Sequence, residues 1–424
     1  MRAPDEERLR ITHLTASGAL GGAERVALEC MHAARTWPGV QSSLIALGAG
    51  PVTRAAAELG VHASHVEAPS EVASLGDAFS SAGATVSAMV PVLRRFPAFY
   101  RRFADAVRAT EPDVIHSHGI KTHVLSALMR PRPTVVWHIH DYLGTRSMSS
   151  RLARVMGTRC ALAIAVSESV AADARTVLPK SVPVIAVHNA VDVDRFVPGG
   201  PSADLDALAG FPPAPAGTIR IGLPATFARW KGHEVFIEAI SRIDRPDIRA
   251  YVIGDAIYET QNSQWTRDEL DALVRHRGVS ARVGFTGAIH DMPAAYRALD
   301  IVVHASTRPE PFGLVIAEAM SCGRAVVAAP AGGAGELFAD GVNAIAAHGG
   351  DPEALANALE QLIARPERRL ALGAAARQHA VQAFGRPRFA QALHAALRMV
   401  NGRGKVENST TGAPERCGEG TALY

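Results

Sequence analysis

The sequence has few of the features that mark disulfide-bonded, secreted or membrane-spanning proteins. Its four cysteines, Cys30, Cys160, Cys322 and Cys417, lie far apart, so the Cys-x-x-Cys spacing of zinc ribbons and redox pairs is absent. No run of roughly 18 apolar residues occurs, which argues against a transmembrane helix. Residues 1–10 are charged and lack the apolar segment of a signal peptide. We therefore expect a cytoplasmic protein.

Net charge and aromatic content are also low. The 44 Lys and Arg residues nearly balance the 41 Asp and Glu residues, and the formal net charge is +3. Because affinity for nucleic acid comes mainly from neutralised phosphates, this balance argues against a nucleic-acid partner. Aromatic residues make up 5% of the chain, whereas hydrophobic residues make up 48%. The 424 residues therefore supply enough aliphatic side chains for two cores, and roughly 150 residues per domain predicts two or three domains.

Short apolar runs alternate with segments of helical periodicity along nearly the whole chain. Parallel strands buried on both faces have such runs, so the alternation predicts an α/β fold with doubly wound sheets. A segment rich in proline and glycine interrupts it and is interpreted as a linker. The predicted units are an N-terminal Rossmann-like domain (8–196), the linker (197–217), a C-terminal Rossmann-like domain (218–385), a final helix packing back toward the N-terminal domain (386–400) and a disordered tail (401–424).

The predicted strands point to where a ligand would bind. In open α/β sheets, ligands bind beyond the carboxyl ends of the strands, so two such domains would face a central cleft. That arrangement suits a two-part ligand with one part held by each domain. The predicted strands lie at residues 9–14, 43–47, 114–116, 134–138, 162–166 and 184–187 in the first half, and at 219–223, 250–253, 283–285, 301–305 and 325–328 in the second.

The segment from Arg308 to Gly323 carries the most specific signal. It follows a predicted strand and opens a predicted helix at Gly313. The first residues of that helix would expose unpaired backbone N–H groups, which favour a phosphate or pyrophosphate. Glu310 precedes the helix and Glu318 lies inside it, and each carboxylate can accept paired hydrogen bonds from vicinal hydroxyl groups. The pattern predicts a site for a nucleotide sugar.

This segment resembles the Glu-x7-Glu signature of the retaining GT-B glycosyltransferases of family 4, the group 1 glycosyl transferases. The resemblance extends over about residues 8–400 and implies the GT-B fold, in which two Rossmann-like domains face a central cleft. It implies that Glu310 is catalytic and contacts the transferred sugar, and that Glu318 contacts the nucleotide ribose. Phe312, Gly313 and Leu314 would bind the donor beside them.

A second segment, Trp230-Lys231-Gly232, resembles the Trp-Lys-Gly box of the same family. There the lysine binds the donor diphosphate, and a lysine at a strand-to-helix turn is a suitable point charge for phosphate. Many relatives carry an arginine five residues before this lysine, but here the position is Thr226. Arg229 is the candidate to replace it in donor binding.

The turn after the first predicted strand contains Gly21 and Gly22, followed by Glu24. Paired glycines let the backbone approach a ligand, and the helix that follows adds its dipole. The spacing is not Gly-x-Gly-x-x-Gly, which argues against a dinucleotide-dependent oxidoreductase. It resembles the Gly-Gly-Ala-Glu loop of family 4, which faces the donor phosphate and the acceptor. Gly21 and Gly22 are thus donor-binding candidates, and Glu24 is an acceptor-side candidate.

Two His-x-His pairs, His116/His118 and His138/His140, lie on predicted strands, where a period of two puts each pair on one face. Four histidines could bind a metal, but no further ligands are arranged around them, so no metal is predicted. The resemblance implies that His140, directly before Asp141, lies near the sugar C6 hydroxyl and is catalytic. His118 and His138 either take part on the acceptor side or pack in the core.

Three further segments match the family in order. Residues 113–119 resemble its His-x-His-Gly strand end, and residues 187–192 resemble its Asn-Gly-Val-Asp run, with Ala190 in place of the glycine. Gly332-Gly333-Ala-Gly-Glu336 resembles its Gly-Gly-x-x-Glu loop. Two interpretations of Glu336 remain open, since it could cap the next helix or be functional.

A helix predicted at residues 86–109 combines apolar residues with five arginines and is interrupted by Pro91 and Pro97. It could lie on an anionic membrane or bind a lipid phosphate, which would place the protein at the inner face of the membrane. The alternative is an ordinary docking helix with a solvated basic face.

The predicted function is transfer of a sugar from a nucleoside-diphosphate sugar to a glycan or lipid-linked acceptor, with retention of anomeric configuration, in polysaccharide or glycoconjugate synthesis. Lys231 and the helix terminus at Gly313 would stabilise the leaving diphosphate, so neither a metal nor another cofactor is expected. No carboxylate is identified for a double displacement, and front-face attack is favoured by analogy. The alternatives are a GT-B-type nucleotide-sugar epimerase and a non-catalytic nucleotide-sugar sensor.

Overall fold

The computed structural model describes residues 8–69, 86–256 and 263–401, and within them the chain forms two parallel sheets. The first sheet has the spatial order 3-2-1-4-5-6-7, so the chain winds outward on both sides of its first strand. Its strands are β1 (Leu9–Thr15), β2 (Val40–Ala46), β3 (His62–His65), β4 (Val114–His118), β5 (Thr134–Ile139), β6 (Leu162–Ala165) and β7 (Val184–Ala186).

The second sheet has the spatial order 10-9-8-11-12-13 and repeats the same doubly wound topology. Its central strands are buried on both faces, as the continuous run Ile301–His304 shows. The sequence therefore predicts an α/β fold correctly, and both halves are Rossmann-like. The strands are β8 (Ile219–Pro224), β9 (Ile248–Ile253), β10 (Val283–Gly287), β11 (Ile301–His304), β12 (Ala325–Ala328) and β13 (Ile345–Ala346).

Helices connect the strands and cover both faces of each sheet. In the first half they are α1 (Gly22–Ala34), α2 (Pro51–Glu58), α3 (Val86–Ala109), α4 (Ile120–Ala127), α5 (Ser147–Met156) and α6 (Glu168–Val177). In the second half they are α7 (Leu205–Leu208), α8 (His233–Arg242), α9 (Arg267–His276), α10 (Met292–Arg297), α11 (Leu314–Ser321), α12 (Pro352–Ala364), α13 (Pro366–Phe384) and α14 (Arg386–Asn401). Short 3-10 turns lie at Arg229–Lys231 and Gly333–Glu336.

The predicted linker contains a structured element, since α7 lies within residues 197–217. Its Asp206 is buried and accepts hydrogen bonds from Arg220 (2.9 Å) and Tyr251 (2.5 Å), both of which belong to the second sheet. The later part of the linker therefore packs as part of the second half.

The final helix, α14, returns to the first half. Phe389 and Leu393 pack with Val26 of α1 in one buried cluster. Arg386 at its start forms ion pairs of 2.7 Å with Glu29 of α1 and with Asp192. The predicted tail (401–424) starts one residue too early, because Asn401 still belongs to α14; from residue 402 onward it lies outside the described residues, so its disorder there stays a prediction.

Helix α3 runs from residue 86 to residue 109 without a break at Pro91 or Pro97, contrary to the predicted interruptions. In its described part, Phe99 and Phe103 are fully buried in the core of the first half, and this packing supports the helix on one side. The arginines of that part face solvent. Within the described residues, no helix is long and apolar enough to cross a membrane.

Candidate active site

A cavity of about 240 Å³ lies where the carboxyl ends of the two sheets face each other. Both halves of the chain contribute to it. The first half supplies Gly22, Ala23, Val26, His140, Val166 and Asn189, and the second supplies Lys231, Glu310, Pro311, Phe312, Gly313, Leu314 and Val315. The central cleft expected from the sequence is thus the place where most of the predicted site residues meet.

Helix α11 begins at this cavity. Its N-cap residue, Gly313, has φ 100° and ψ 57°, a left-handed conformation that glycine adopts without the steric cost of a Cβ atom. No side-chain cap forms at this N-cap, and the next two residues, Leu314 and Val315, line the cavity. The helix therefore directs backbone N–H groups and the positive end of its dipole at the cavity, as expected for an anion site.

Glu310 and Lys231 form an ion pair in the cavity wall, with 2.7 Å between Oε2 and Nζ. The same carboxylate oxygen accepts hydrogen bonds from Ser306 (3.0 Å) and from His304 Nε2 (3.2 Å). Burial raises the pKa of the Glu310 carboxyl, but the charge of Lys231 and the His304 hydrogen bond outweigh burial and hold the pKa at about 2. Glu310 is therefore a fixed, ionised group, and Lys231 packs at 4.0 Å over the Trp230 ring.

Glu318 lies on α11 outside the lining of the cavity. Tyr296 donates a hydrogen bond of 2.8 Å to its Oε2, and burial raises the pKa of the Glu318 carboxyl. The charges of Arg25 and Arg195 act on this pKa in the opposite direction. The carboxylate is thus held next to cationic side chains from the first half, but it does not meet Glu310 at the cavity wall.

Arg229 points away from the cavity. Its guanidinium forms an ion pair of 2.7 Å with Glu269 and lies 3.9 Å over the Trp265 ring. The side chain is held on the surface of the second half by these contacts. The geometry therefore gives no support to Arg229 as a replacement for the arginine missing at Thr226.

The glycine turn before α1 lies against the cavity. Gly21 is the N-cap of the helix, and at Gly22 an added Cβ would meet no atom within 4 Å. Glu24 is buried, accepts a hydrogen bond of 3.2 Å from Ser17, and has its pKa raised by burial. Gly22 thus faces open space in the cleft, whereas Glu24 is turned into the first half.

Four histidines on three neighbouring strands pack together with His140, which directly follows β5, and we call the five the histidine cluster (His13, His116, His118, His138 and His140). His118 Nδ1 lies 3.0 Å from His140 Nε2, and His118 Nε2 lies 3.5 Å from His13 Nδ1. His138 Nδ1 lies 3.2 Å from His116 Nε2. Burial lowers the pKa of all five, to about 3 for His13 and His140, so these rings are neutral.

Cys30 of α1 also reaches the histidine cluster, with its Sγ 3.8 Å from His138 Nδ1. One ligand atom each from Cys30, His116, His118 and His138 lies within 4.8 Å of the others. These are ligand types that zinc accepts. Among the described residues, His116 Nδ1 and His138 Nε2 are buried without a hydrogen-bond partner. Direct contacts between neutral rings account for the cluster, and the expectation of no metal stays a prediction.

Comparison with known proteins agrees with this geometry. The model of the family described as Glycosyltransferase Family 4 matches residues 20–195, and the model described as Glycosyl transferases group 1 matches residues 212–379. The chain belongs to the group 1 glycosyltransferases with the GT-B fold. The two matches cover the two Rossmann-like halves, and the boundary between them falls in the segment predicted as a linker.

The chain spans about half the length of the curated relatives it matches. It is 35% identical over 220 residues to a D-inositol 3-phosphate glycosyltransferase from Xylanimonas cellulosilytica, covering 48% of this chain and 51% of that protein. It is 31% identical over 223 residues to the lipopolysaccharide core biosynthesis mannosyltransferase LpcC from Rhizobium leguminosarum, covering 52% of this chain and 61% of that protein.

Solved structures match the glycosyltransferase over almost its whole length. Anabaena Alr3699/HepE in complex with UDP and glucose superimposes with a TM-score of 0.78 at 25% identity, covering 92% of this chain and 100% of that one. The complex of the same protein with UDP gives a TM-score of 0.75 at 26% identity with the same coverage.

Three site residues of the glycosyltransferase carry no assignment from the sequence. His304 ends β11 and Ser306 follows it, and both fix the Glu310 carboxylate. Their place at the carboxyl end of a predicted strand is the signal that could have identified them. Asn189 lines the cavity and is buried, and its Oδ1 has no hydrogen-bond partner within residues 8–69, 86–256 and 263–401.

Glu336 joins the two halves of the glycosyltransferase. Its carboxylate accepts hydrogen bonds from the backbone N–H groups of Glu168 (2.9 Å) and Ser169 (2.7 Å), and it lies 2.8 Å from His188 Nε2. It therefore caps α6 of the first half and not the next helix in sequence, which was one of the two open interpretations. The reason is that the 3-10 turn Gly333–Glu336 packs against the start of α6.

We expect Glu336→Ala to lower the free energy of unfolding by about 1–2 kcal/mol, because the N-terminus of α6 loses a carboxylate with two hydrogen bonds. Urea unfolding measures this change. Glu168→Ala is the matched control, since it removes an exposed carboxylate from the same helix end, where its side chain pairs only weakly with Arg175 at 3.4 Å. Equal losses in both variants would contradict the cap.

Proposed function

We propose that this glycosyltransferase moves a sugar from a nucleoside-diphosphate sugar to an acceptor hydroxyl group with retention of anomeric configuration. The observation that carries the proposal is the cavity between the two sheets, where Lys231, the N-terminus of α11 and Glu310 meet. A cation and a helix N-terminus suit a diphosphate, and a fixed carboxylate suits sugar hydroxyl groups.

The Lys231 ammonium and the N–H groups after Gly313 would bind the diphosphate and stabilise the negative charge that develops as the glycosidic bond breaks. These groups come from the second half of the chain, whereas His140 and Gly22 face them from the first. A donor in the cavity would thus be enclosed from both sides, which keeps water from competing with the acceptor.

Front-face attack by the acceptor is the proposed route to retention. Among the described residues that line the cavity, Glu310 is the one carboxylate, and Lys231, Ser306 and His304 already contact its Oε2. A carboxylate held in this way suits the recognition of hydroxyl groups better than covalent attack on the sugar, for which the nucleophile must approach the anomeric carbon freely.

Uridine-diphosphate sugars are the first donors to test, because Anabaena Alr3699/HepE binds UDP. The acceptor is proposed to be a glycan or lipid-linked molecule in polysaccharide or glycoconjugate synthesis on the cytoplasmic side of the membrane. The curated names of an inositol 3-phosphate enzyme and a lipopolysaccharide enzyme favour this class. The exposed arginines of α3 would place the protein against anionic lipid, while Phe99 and Phe103 stay in the core.

Incubation with radiolabelled nucleotide sugars and crude glycolipid acceptors tests the proposal. We expect the label to appear in an acceptor and the new linkage to keep the anomeric configuration of the donor. A donor isomerised without transfer would instead indicate an epimerase, and binding without turnover would indicate a sensor. Either result would refute the proposed activity.

Glu318 provides a separate test of nucleotide binding. We expect Glu318→Ala to raise the Kd for UDP about tenfold, because a carboxylate that accepts hydrogen bonds from ribose hydroxyl groups is lost. Isothermal titration calorimetry measures the change. Tyr296→Phe is the control, since it removes the 2.8 Å hydrogen bond to Glu318 but keeps the carboxylate. An unchanged Kd in Glu318→Ala would mean that this carboxylate does not reach the ribose.

A further inference from the structure

The histidine cluster contains a chain of hydrogen bonds that ends at the cavity. His140 lines the cavity on one side and has its Nε2 3.0 Å from His118 Nδ1 on the other. His118 in turn has its Nε2 3.5 Å from His13 Nδ1, and the other nitrogen of His13, Nε2, is buried without a partner in the part of the chain that the structure describes. This series of hydrogen bonds therefore ends at an unpartnered nitrogen in the protein core on one side and at the ligand site on the other.

The sheet topology explains why these three rings meet. β1, β4 and β5 are neighbours in the first sheet, and the register pairs Thr15 with His118 and His118 with His138. Alternate residues of a strand share a face, so His13, His118 and His140 lie on the same side of three adjacent strands. His13 and His118 are fully buried, and no ligand in the cavity can touch them directly.

Because the three rings are neutral, the hydrogen bonds between them can run in only two directions. Each neutral imidazole carries a single N–H, so two hydrogen bonds in series can form only if all three rings donate in the same direction. Burial lowers the pKa of each of the three rings, which keeps them neutral at physiological pH. The hydrogen bonds then run either from His140 to His13 or from His13 to His140, and the two arrangements differ in which of these two rings has an N–H that is not used in the series.

The buried end decides between the two arrangements. If His140 donated to His118 and His118 to His13, the final N–H would lie on His13 Nε2, which is buried and has no acceptor among the described residues. Buried N–H groups without a partner are rare. In the opposite direction the His13 end carries only an unprotonated nitrogen, and His140 receives a hydrogen bond at Nε2 and keeps its proton on Nδ1.

We propose that His13 and His118 are positioning residues that hold His140 as its Nδ1–H tautomer, so that His140 donates a hydrogen bond to an oxygen atom of the bound sugar donor. The identity of the ligand rests on the proposed function, whereas the tautomer does not. An N–H donor at this position complements a hydroxyl or phosphate oxygen and cannot act as a general base. Without the hydrogen bonds from His13 through His118, His140 would revert toward the Nε2–H tautomer, which free histidine prefers.

Nuclear magnetic resonance of protein labelled with 15N-histidine tests the tautomer directly. Long-range proton–nitrogen correlations distinguish a protonated ring nitrogen from an unprotonated one, and loss of signals in His140→Asn assigns the ring. We expect protonated Nδ1 and unprotonated Nε2 for His140 in the unmodified protein. A proton on Nε2 overturns the proposal. So does an unchanged His140 tautomer in His118→Leu.

Kinetics of the proposed transfer add a second readout. We expect His118→Leu to lower kcat about tenfold, the effect of one misplaced hydrogen bond, with little change in the donor KM. His118→Asn, whose side-chain N–H can replace Nδ1–H, should recover most of the activity. His116→Leu is the matched control on the same strand, since His116 bonds to His138 and not to His140. Equal losses in the two leucine variants would show a packing effect and overturn the positioning role.

The tautomer measurement and the kinetics distinguish a failure of the positioning role from a failure of the proposed function. If the unmodified protein transfers no sugar, the proposed function fails, but the tautomer of His140 is still measured. If the protein transfers sugar and His140 carries its proton on Nε2, the positioning chain fails and the proposed function stands.

Discussion

Lys231→Met is expected to lower kcat/KM for the sugar donor about 100- to 1,000-fold, the range seen when one preorganised group that stabilises a transition state is removed. Two effects combine. The diphosphate loses the cation that would balance its charge as it leaves, and Glu310 loses the ammonium 2.7 Å from its Oε2. The Glu310 carboxylate is then buried with only Ser306 and His304 as partners, which raises its pKa and weakens its contact with the sugar.

Steady-state kinetics at several donor concentrations measure the effect of Lys231→Met. Arg229→Met is the matched comparison, because Arg229 lies two residues away and carries the same charge, but is paired with Glu269 at the surface. We expect less than a threefold change there. A large loss in Arg229→Met with a small loss in Lys231→Met would reverse the assignment and place Arg229 on the diphosphate after all.

A double-mutant cycle separates the ion pair from direct donor binding. Glu310→Gln removes one charge of the pair and should lower kcat on its own, because the amide is a weaker hydrogen-bond acceptor for the sugar. If Lys231 acted only by holding Glu310, Lys231→Met would cost nothing further in the Glu310→Gln background. We expect a substantial additional loss there, since the diphosphate still needs its cation.

The fold could be predicted from the sequence because its strands are buried on both faces. β11 and β12 are short, fully buried strands of mainly apolar residues, and β11 is followed by a turn and helix α11. The two strands missed are the ones without this signal. β3 is polar and half-exposed at the edge of its sheet, and β13 has only two residues. Edge strands carry too little apolar pattern to be recognised.

The sequence could predict which residues belong to the candidate site, but not which side chains they contact. Glu310, Lys231 and Gly313 stand in local motifs, and all three line the cavity. The partners that set their chemistry are separated in sequence, as Lys231 and Glu310 are by 79 residues. Cys30 meets His138 across 108 residues, and no local pattern indicates that contact. The ion pair that holds Arg229 at the surface could not be foreseen either, because Glu269 lies 40 residues away on another helix.

Mild acid is expected to unfold the first half of the chain. Burial lowers the pKa of six histidines on or beside the first sheet, and two of the values lie at about 3. Between the folded-state pKa of about 3 and the unfolded value of 6.5, the unfolded chain then binds more protons than the folded one, so the free energy of unfolding falls as pH falls through this range. The six are His13, His116, His118, His123, His138 and His140.

The expected effect of acid is large. At pH 5.5 each neutral buried ring costs on the order of 1 kcal/mol of stability, so six rings cost several kcal/mol, comparable with the whole stability of a typical domain of about 5–15 kcal/mol. Three carboxyl groups, Glu24, Asp141 and Glu318, have raised pKa values and act in the opposite sense. They are outnumbered by the six histidines.

Urea unfolding at pH 7.5, 6.5 and 5.5 measures this loss, and the slope of the free energy against pH gives the number of protons bound on unfolding. His123→Phe provides the check, because the His123 ring stacks on Trp137 at 4.7 Å and a phenyl ring can keep that contact. The variant should bind about one proton fewer on unfolding. A free energy that stays constant between pH 7.5 and 5.5 would contradict the lowered pKa values of the six histidines.

Diffraction from crystals soaked with UDP-glucose is the most direct test of the central claim, which is that the cleft binds a nucleotide sugar through its diphosphate. We expect the diphosphate within hydrogen-bond distance of Lys231 Nζ and the backbone N–H groups of Leu314 and Val315, with the sugar beside Glu310 and His140. A diphosphate bound outside the cleft, or inside it but away from both Lys231 and the N-terminus of α11, would contradict the account.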